Sequence, residues 1–98
     1  MGHKEDYHWD ENKSSLLKEE RGYGLDEICE MVFYDRATKW EVFENPNYPN
    51  QYRIIAKTSK SLFITLAVED LQDEFGYFTK LVTWWPSSAR EKERIQNE

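Results

Sequence analysis

The sequence predicts an α+β fold: a small antiparallel meander sheet packed by two N-terminal helices, with a helix at the C-terminus. Three observations predict it. Apolar residues recur at helical spacing between Leu25 and Phe33. After Asp35 the period changes from helical to alternating. Turn-forming residues then separate successive alternating runs, as in hairpin-linked strands.

Taken in order, Asp6-Tyr7-His8-Trp9 reads as a short first strand. Asp10 suits the N-cap of a helix over residues 11–20, because its carboxylate can accept the free N–H groups of the first turn. Glu11 adds favourable charge at the same helix end. Leu16 and Leu17 form the narrow apolar stripe of this helix, and Gly22 is placed to end it as a left-handed C′ residue. A second helix over residues 25–34 has the clearest period. Leu25, Ile28, Cys29, Val32 and Phe33 fall at i, i+3, i+4, i+7 and i+8, opposite Asp26, Glu27 and Glu30.

Residues 39–44 alternate, with Trp40 and Val42 on one face. The Pro- and Asn-rich residues 45–50 are a loop. Strands are expected over 52–58 and 61–68, joined at Ser59-Lys60, with an acidic connection over 69–74. The longest strand is expected over 75–85. Strict alternation there puts Tyr77, Thr79, Leu81, Thr83 and Trp85 on one face, and Phe78, Lys80, Val82 and Trp84 on the other. Pro86 stops it, and Ser87 or Ser88 caps a largely charged helix over 89–96, expected to dock loosely. The sheet is thus four main strands plus the short N-terminal one. Residues 1–6 are expected to be a disordered or expression-derived N-terminus, and 7–98 a single domain.

The 98 residues suffice for one small core, rich in rings because 15% of residues are aromatic. The net charge of −6 argues against a general nucleic-acid binder. The charge is unevenly distributed, however: residues 45–66 contain Arg53, Lys57 and Lys60 and no acid. The single cysteine, Cys29, excludes an internal disulfide and reads as a small core hydrophobe. No apolar run reaches the roughly 18 residues of a membrane span. The composition fits a reducing cytoplasm. His3 and His8 lack zinc-ligand spacing, so no metal is expected. No Gly-rich phosphate loop or nucleophile–base signature is present, and no cofactor is expected.

Trp9-Asp10-Glu11-Asn12-Lys13, then Leu17-Lys18-Glu19-Glu20-Arg21-Gly22, then Leu25-Asp26-Glu27 resemble the opening of BrnT-like toxins of bacterial type II toxin–antitoxin pairs, whose fold is related to the RelE-type ribonucleases. Tyr48-Pro49-Asn50-Gln51, Val68-Glu69-Asp70 and Pro86-Ser87-Ser88 resemble a divergent branch of the same group. Together these motifs extend over residues 7–94. The resemblance implies a toxin neutralised by a cognate antitoxin, with RNA as a candidate second partner. It also implies a metal-independent ribonuclease in which cations stabilise a charged phosphorane. Arg21 stands where many members carry His, Gly24 where a Ser commonly caps the second helix, and the usual Arg after the last strand is missing, with Arg90 two residues further on.

On this basis Arg21, Arg53 and Lys80 are the candidate catalytic cations. Lys18, Tyr48, Tyr52, Lys57 and Arg90 are candidate RNA contacts. Each has a plainer reading. Lys18 and Arg21 complement a helix C-terminus, Arg53, Lys57 and Lys80 solvate a sheet, and the tyrosines pack beneath a loop. Tyr77, Trp84 and Trp85 are the candidate partner surface, with one of the adjacent tryptophans expected in the core. The alternative function is a catalytically inactive protein-binding module on the same scaffold.

Overall fold

The computed structural model describes residues 2–96. Met1, Asn97 and Glu98, which the expected N-terminus and domain included, lie outside the described residues. The elements are β1 (Gly2–Lys4), β2 (Tyr7–Trp9), α1 (Glu11–Arg21), α2 (Leu25–Phe33), β3 (Lys39–Glu44), β4 (Gln51–Lys57), β5 (Phe63–Asp73), β6 (Gly76–Pro86) and α3 (Ala89–Gln96). The fold is α+β with a single six-stranded sheet of order β1-β2-β6-β5-β4-β3.

The meander β3-β4-β5-β6 is antiparallel, as its alternating runs predict. The N-terminal strand differs from the fully antiparallel expectation. β2 pairs with β6 in parallel, Trp9 opposite Leu81, because α1 and α2 carry the chain across before the sheet resumes. The sheet is therefore mixed. β1 is an added edge strand on residues expected to be disordered or expression-derived, and it pairs His3 with His8. Lys4 reaches from it to Glu30 and lies 4.2 Å above the Tyr34 ring, which ties β1 to α2.

Asp10 caps α1 as expected, its side chain accepting from the Lys13 N–H at 3.1 Å. Gly22 ends the helix with φ 94°, a conformation open to glycine, and its N–H donates to the Lys18 carbonyl. Only Leu17 of the expected leucine pair is buried; Leu16 is 52% exposed, since adjacent helical positions point about 100° apart. Gly24 offers α2 no side-chain cap, and α1 supplies one instead. The Ser14 hydroxyl accepts the Leu25 N–H at 2.8 Å and donates to Asp26.

The acidic connection expected over 69–74 is instead strand as far as Asp73, with Glu74 in the turn. β5 and β6 continue as a projecting hairpin to the pair Asp73–Gly76. Gly76, at φ 125°, absorbs the left-handed step of this tight turn. The pairing explains why charged residues tolerate the ladder here: beyond Gln51–Glu69, β5 has no second neighbour in β4, and Asp70, Gln72 and Asp73 are exposed.

A register shift separates Ala67–Thr83 from Val68–Leu81, leaving Val82 without a partner in β5. This bulge reverses the alternation of the last strand. Leu81 and Trp84 both reach the core, whereas strict alternation puts them on opposite faces. Trp84 is 3% exposed and donates its indole N–H to the Tyr23 carbonyl at 2.8 Å.

The core lies between the sheet and α1/α2: Leu17, Leu25, Ile28, Val32, Ile54, Leu66, Val68, Leu81 and Trp84 are all buried there. Cys29 is among them, as expected. Burial, and then the Glu30 carboxylate, push its thiol up to about 12. The native protein should therefore resist thiol-specific reagents at mildly alkaline pH and react only on unfolding, as measured by labelling across a urea titration. Rapid labelling of the folded state would contradict this packing.

Candidate functional site

The two faces of the sheet have different chemistry. Even-numbered β4 and β5 residues face α1 and α2. The odd-numbered ones, Arg53, Ile55 and Thr65 among them, face the opposite side, which α3 partly covers. Across that outer face run two neighbouring rows set by register: Phe43–Arg53–Ala67–Thr83 and Glu41–Ile55–Thr65–Trp85.

The link from β6 to α3 fixes what stands above these rows. Pro86 closes the strand. Ser87 turns inward, its hydroxyl 2.8 Å from Thr65 and its N–H bonded to the Phe63 carbonyl. Ser88 caps α3 reciprocally: its hydroxyl accepts the Glu91 N–H at 3.2 Å, and the Glu91 carboxylate accepts the Ser88 N–H at 2.9 Å. The same carboxylate accepts the Trp85 indole N–H at 3.1 Å. The charged helix expected to dock loosely is thereby anchored to the sheet.

Anchoring places Arg90 and Arg94, one helical turn apart, on the α3 side that meets Arg53. Phe43, Arg53, Ile55, Trp85, Ser88, Arg90, Glu91 and Arg94 line a cleft of about 430 Å³. Two of its arginines lie over rings: Arg53 is 5.7 Å from the Trp85 ring centre, and Arg94 is 4.3 Å from that of Phe43. Stacking holds a guanidinium plane while leaving its N–H edge free to donate in a fixed fork. Ion pairs among the described residues join Lys4 to Glu30 and Lys18 to Glu27, so the three arginines are not neutralised by carboxylates there. The cleft wall carries three Arg against one Glu, which is already bound by Ser88 and Trp85.

Burial alone would raise the Glu91 carboxyl. The Ser88 N–H, the Trp85 indole and the Thr65 and Ser88 hydroxyls outweigh burial and hold it below its ordinary 4.5. A depressed acid stabilises the fold fully above its unfolded value and loses that contribution as pH falls through the lower folded value. The protein should therefore lose this contribution to α3 docking only as pH falls below that ordinary 4.5, and Glu91→Gln should flatten this acid limb. Trp85 fluorescence against pH measures it; an unchanged acid limb in Glu91→Gln would contradict the role given to this carboxylate.

The expected catalytic trio does not converge. Arg21, at the end of α1, reaches β6 at the edge of the sheet. Its guanidinium donates to the Thr83 hydroxyl at 3.4 Å and to the Trp84 carbonyl. Arg53 stands two strands away from Thr83, in the cleft that Arg21 does not line. Lys80 shares the outer face with Arg53 but lies opposite Glu69 and beside His8, outside the cleft. His8 itself stacks on Phe78 at 4.4 Å, a packing role. Arg21→Ala is expected to destabilise the fold by roughly 1–2 kcal/mol through the lost tie to β6, and to leave ligand binding at the cleft unchanged. Urea melts and binding assays on the same variant separate the two effects.

Among the expected RNA contacts, Arg90 lies in the cleft. Lys57 lies on the same face, over Phe63, with Lys92 above the same ring. Lys18 instead bridges α1 to α2 through Glu27 at 3.0 Å. Tyr48 is exposed on its loop, and Tyr52 packs against the core on the opposite face from Arg53. Of the expected partner surface, Tyr77 is 78% exposed on the projecting hairpin. Trp85 is half-buried against α3. Trp84 is core and presents no surface, a correction that follows from the bulge.

Arg94, Phe43 and Glu91 were not expected in a site. The spacing of Arg90 and Arg94 does signal a shared helix face. Only the Ser87–Ser88 anchoring shows which face meets the sheet. No family model matches the chain, and no curated protein does.

Proposed function

We propose that this chain is a toxin-like component of a toxin–antitoxin pair that engages single-stranded RNA in the cleft between α3 and the outer sheet face. The observation that carries the reading is the grouping of Arg53, Arg90 and Arg94 around one open cleft, two of them lying over aromatic rings. Guanidinium forks match phosphate oxygens, and fixed forks lose less freedom on binding than free ones. Lys57 and Lys92 extend the positive surface along the same face. A groove of this kind suits a flexible phosphodiester strand better than a rigid duplex. The antitoxin follows from the motif resemblance, and so does the candidate ribonuclease activity.

The site geometry supports binding more directly than cleavage. A 2′-hydroxyl needs a base to take its proton. The carboxylate lining the cleft, Glu91, is engaged by the Ser88 N–H and the Trp85 indole. That observation, with Arg21 tied to β6 and outside the cleft, favours the second reading: a catalytically inactive binding module on the same scaffold.

Expression of the chain without a partner tests the proposal. Growth arrest that persists in Arg21→Ala and disappears in the combined Arg53→Ala and Arg94→Ala variant is the expected result. Normal growth, with folded protein that neither binds nor cuts single-stranded RNA, would sink it. Binding without cleavage selects the inactive module.

A further inference from the structure

On the opposite side of the sheet from the arginine cleft, α1 and α2 pack mainly against β2 and β6, bury Ile54 and Ala56 of β4, and leave the β3 edge of the same face only partly covered. That edge is not polar. Trp40 and Val42 project from β3 on this face, in register with the core residues Ala56 and Ile54, yet are 41% and 50% exposed. Trp40 meets the edge of Phe33, the last residue of α2, at 5.4 Å. A groove of about 190 Å³ follows, walled by Phe33, Trp40, Val42, Tyr52 and Tyr7 and ending at Asp70. It continues past Tyr52 and Asp70 into a wider hollow that ends at Tyr77. The charged residues lining the two together are Glu5, Asp6 and Asp70, all carboxylates, with no lysine or arginine.

We infer that this groove docks a basic amphipathic helix of a partner protein. The β3 edge of this face is apolar, continuous with the core, and only partly covered by α2; a helix lying beside α2 would bury Trp40 and Val42. The rim is purely acidic, so charge complementarity selects an occupant carrying lysines or arginines beside its apolar stripe and disfavours both nucleic acid and an acidic peptide. The inference does not rest on the RNA reading, because the two surfaces are separated by the sheet. It assigns the molecule two ligands of opposite charge on opposite faces.

The test uses the full chain with its indole N–H groups observed by NMR. The probe is a designed amphipathic peptide of about four helical turns with a leucine stripe flanked by lysines. Its counterpart has glutamate at every lysine. The lysine peptide is expected to bind, to shift the Trp40 indole and not that of Trp85, and to weaken by about tenfold or more in Val42→Lys and in Asp70→Lys. Both substitutions are at exposed positions and leave the core intact. Absence of binding, equal binding of the glutamate peptide, or affinity unchanged in both variants would overturn the inference. So would an RNA oligonucleotide that shifts Trp40. Sedimentation of the chain alone covers the remaining occupant: a dimer dispersed by Val42→Lys would assign the groove to a second copy and overturn the partner.

Discussion

Trp84→Ala is expected to remove most of the stability of this domain. The side chain is 3% exposed, lies opposite Leu66 and packs in the same cluster as Leu17 and Leu81. Truncating a buried tryptophan costs about 3–5 kcal/mol through lost transfer energy and the cavity that remains. The Tyr23 carbonyl also loses the indole N–H that satisfies it, adding roughly 1 kcal/mol. A domain of this length is stable by only about 5–15 kcal/mol, so the loss is a large fraction of the whole. Trp85→Ala should cost much less, since that ring is half-buried and rests against α3. The measurement is the midpoint of urea unfolding for the two variants. A larger shift for Trp85→Ala would mean the bulge at Val82 is misplaced and the two rings are exchanged.

The second large effect is on binding. Replacing Arg53, Arg90 and Arg94 together with alanine should abolish most of the affinity of the cleft for single-stranded RNA. Each phosphate neutralised on a single strand contributes about 0.7 to the slope of log affinity against log salt. Three arginines therefore account for a slope of about 2, and the triple variant should lose that much. None of the three is buried, so its fold should remain intact by circular dichroism. The counter-result is a triple variant with unchanged affinity and slope. That would move any RNA contact to Lys57 and Lys92 or off this face altogether.

These two predictions depend on features that differ in how visible they are along the chain. The α2 stripe, the Asp10 cap, the Gly22 stop and the alternation of β3 are local patterns, set by backbone geometry and nearest neighbours, and the sequence shows them directly. The parallel pairing of β2 with β6 is not local. It depends on where α1 and α2 deliver the chain, and a three-residue strand carries too little pattern to declare its partner. The bulge at Val82 is equally silent: Thr-Lys-Leu-Val-Thr-Trp-Trp alternates well enough on paper, and one extra residue on β6 exchanges the faces of everything after it. For the same reason Arg53 and Arg90 were legible as cations while their convergence with Arg94 was not. It requires the register of β4 and the inward turn of Ser87. Arg21 shows the reverse case: a cation at a helix end that the fold ties to β6, outside the cleft.

The most direct measurement of the central claim is the set of tryptophan indole resonances during titration with a short single-stranded RNA oligonucleotide. The chain has four tryptophans, and they occupy distinct places. Trp85 lies in the cleft, Trp40 on the opposite face, and Trp9 and Trp84 in the core. RNA should shift Trp85 in a salt-dependent manner, leave the other three in place, and have no effect on the Arg53→Ala, Arg90→Ala, Arg94→Ala variant. Movement of Trp40 with Trp85 unchanged, or no movement at low salt, would contradict it.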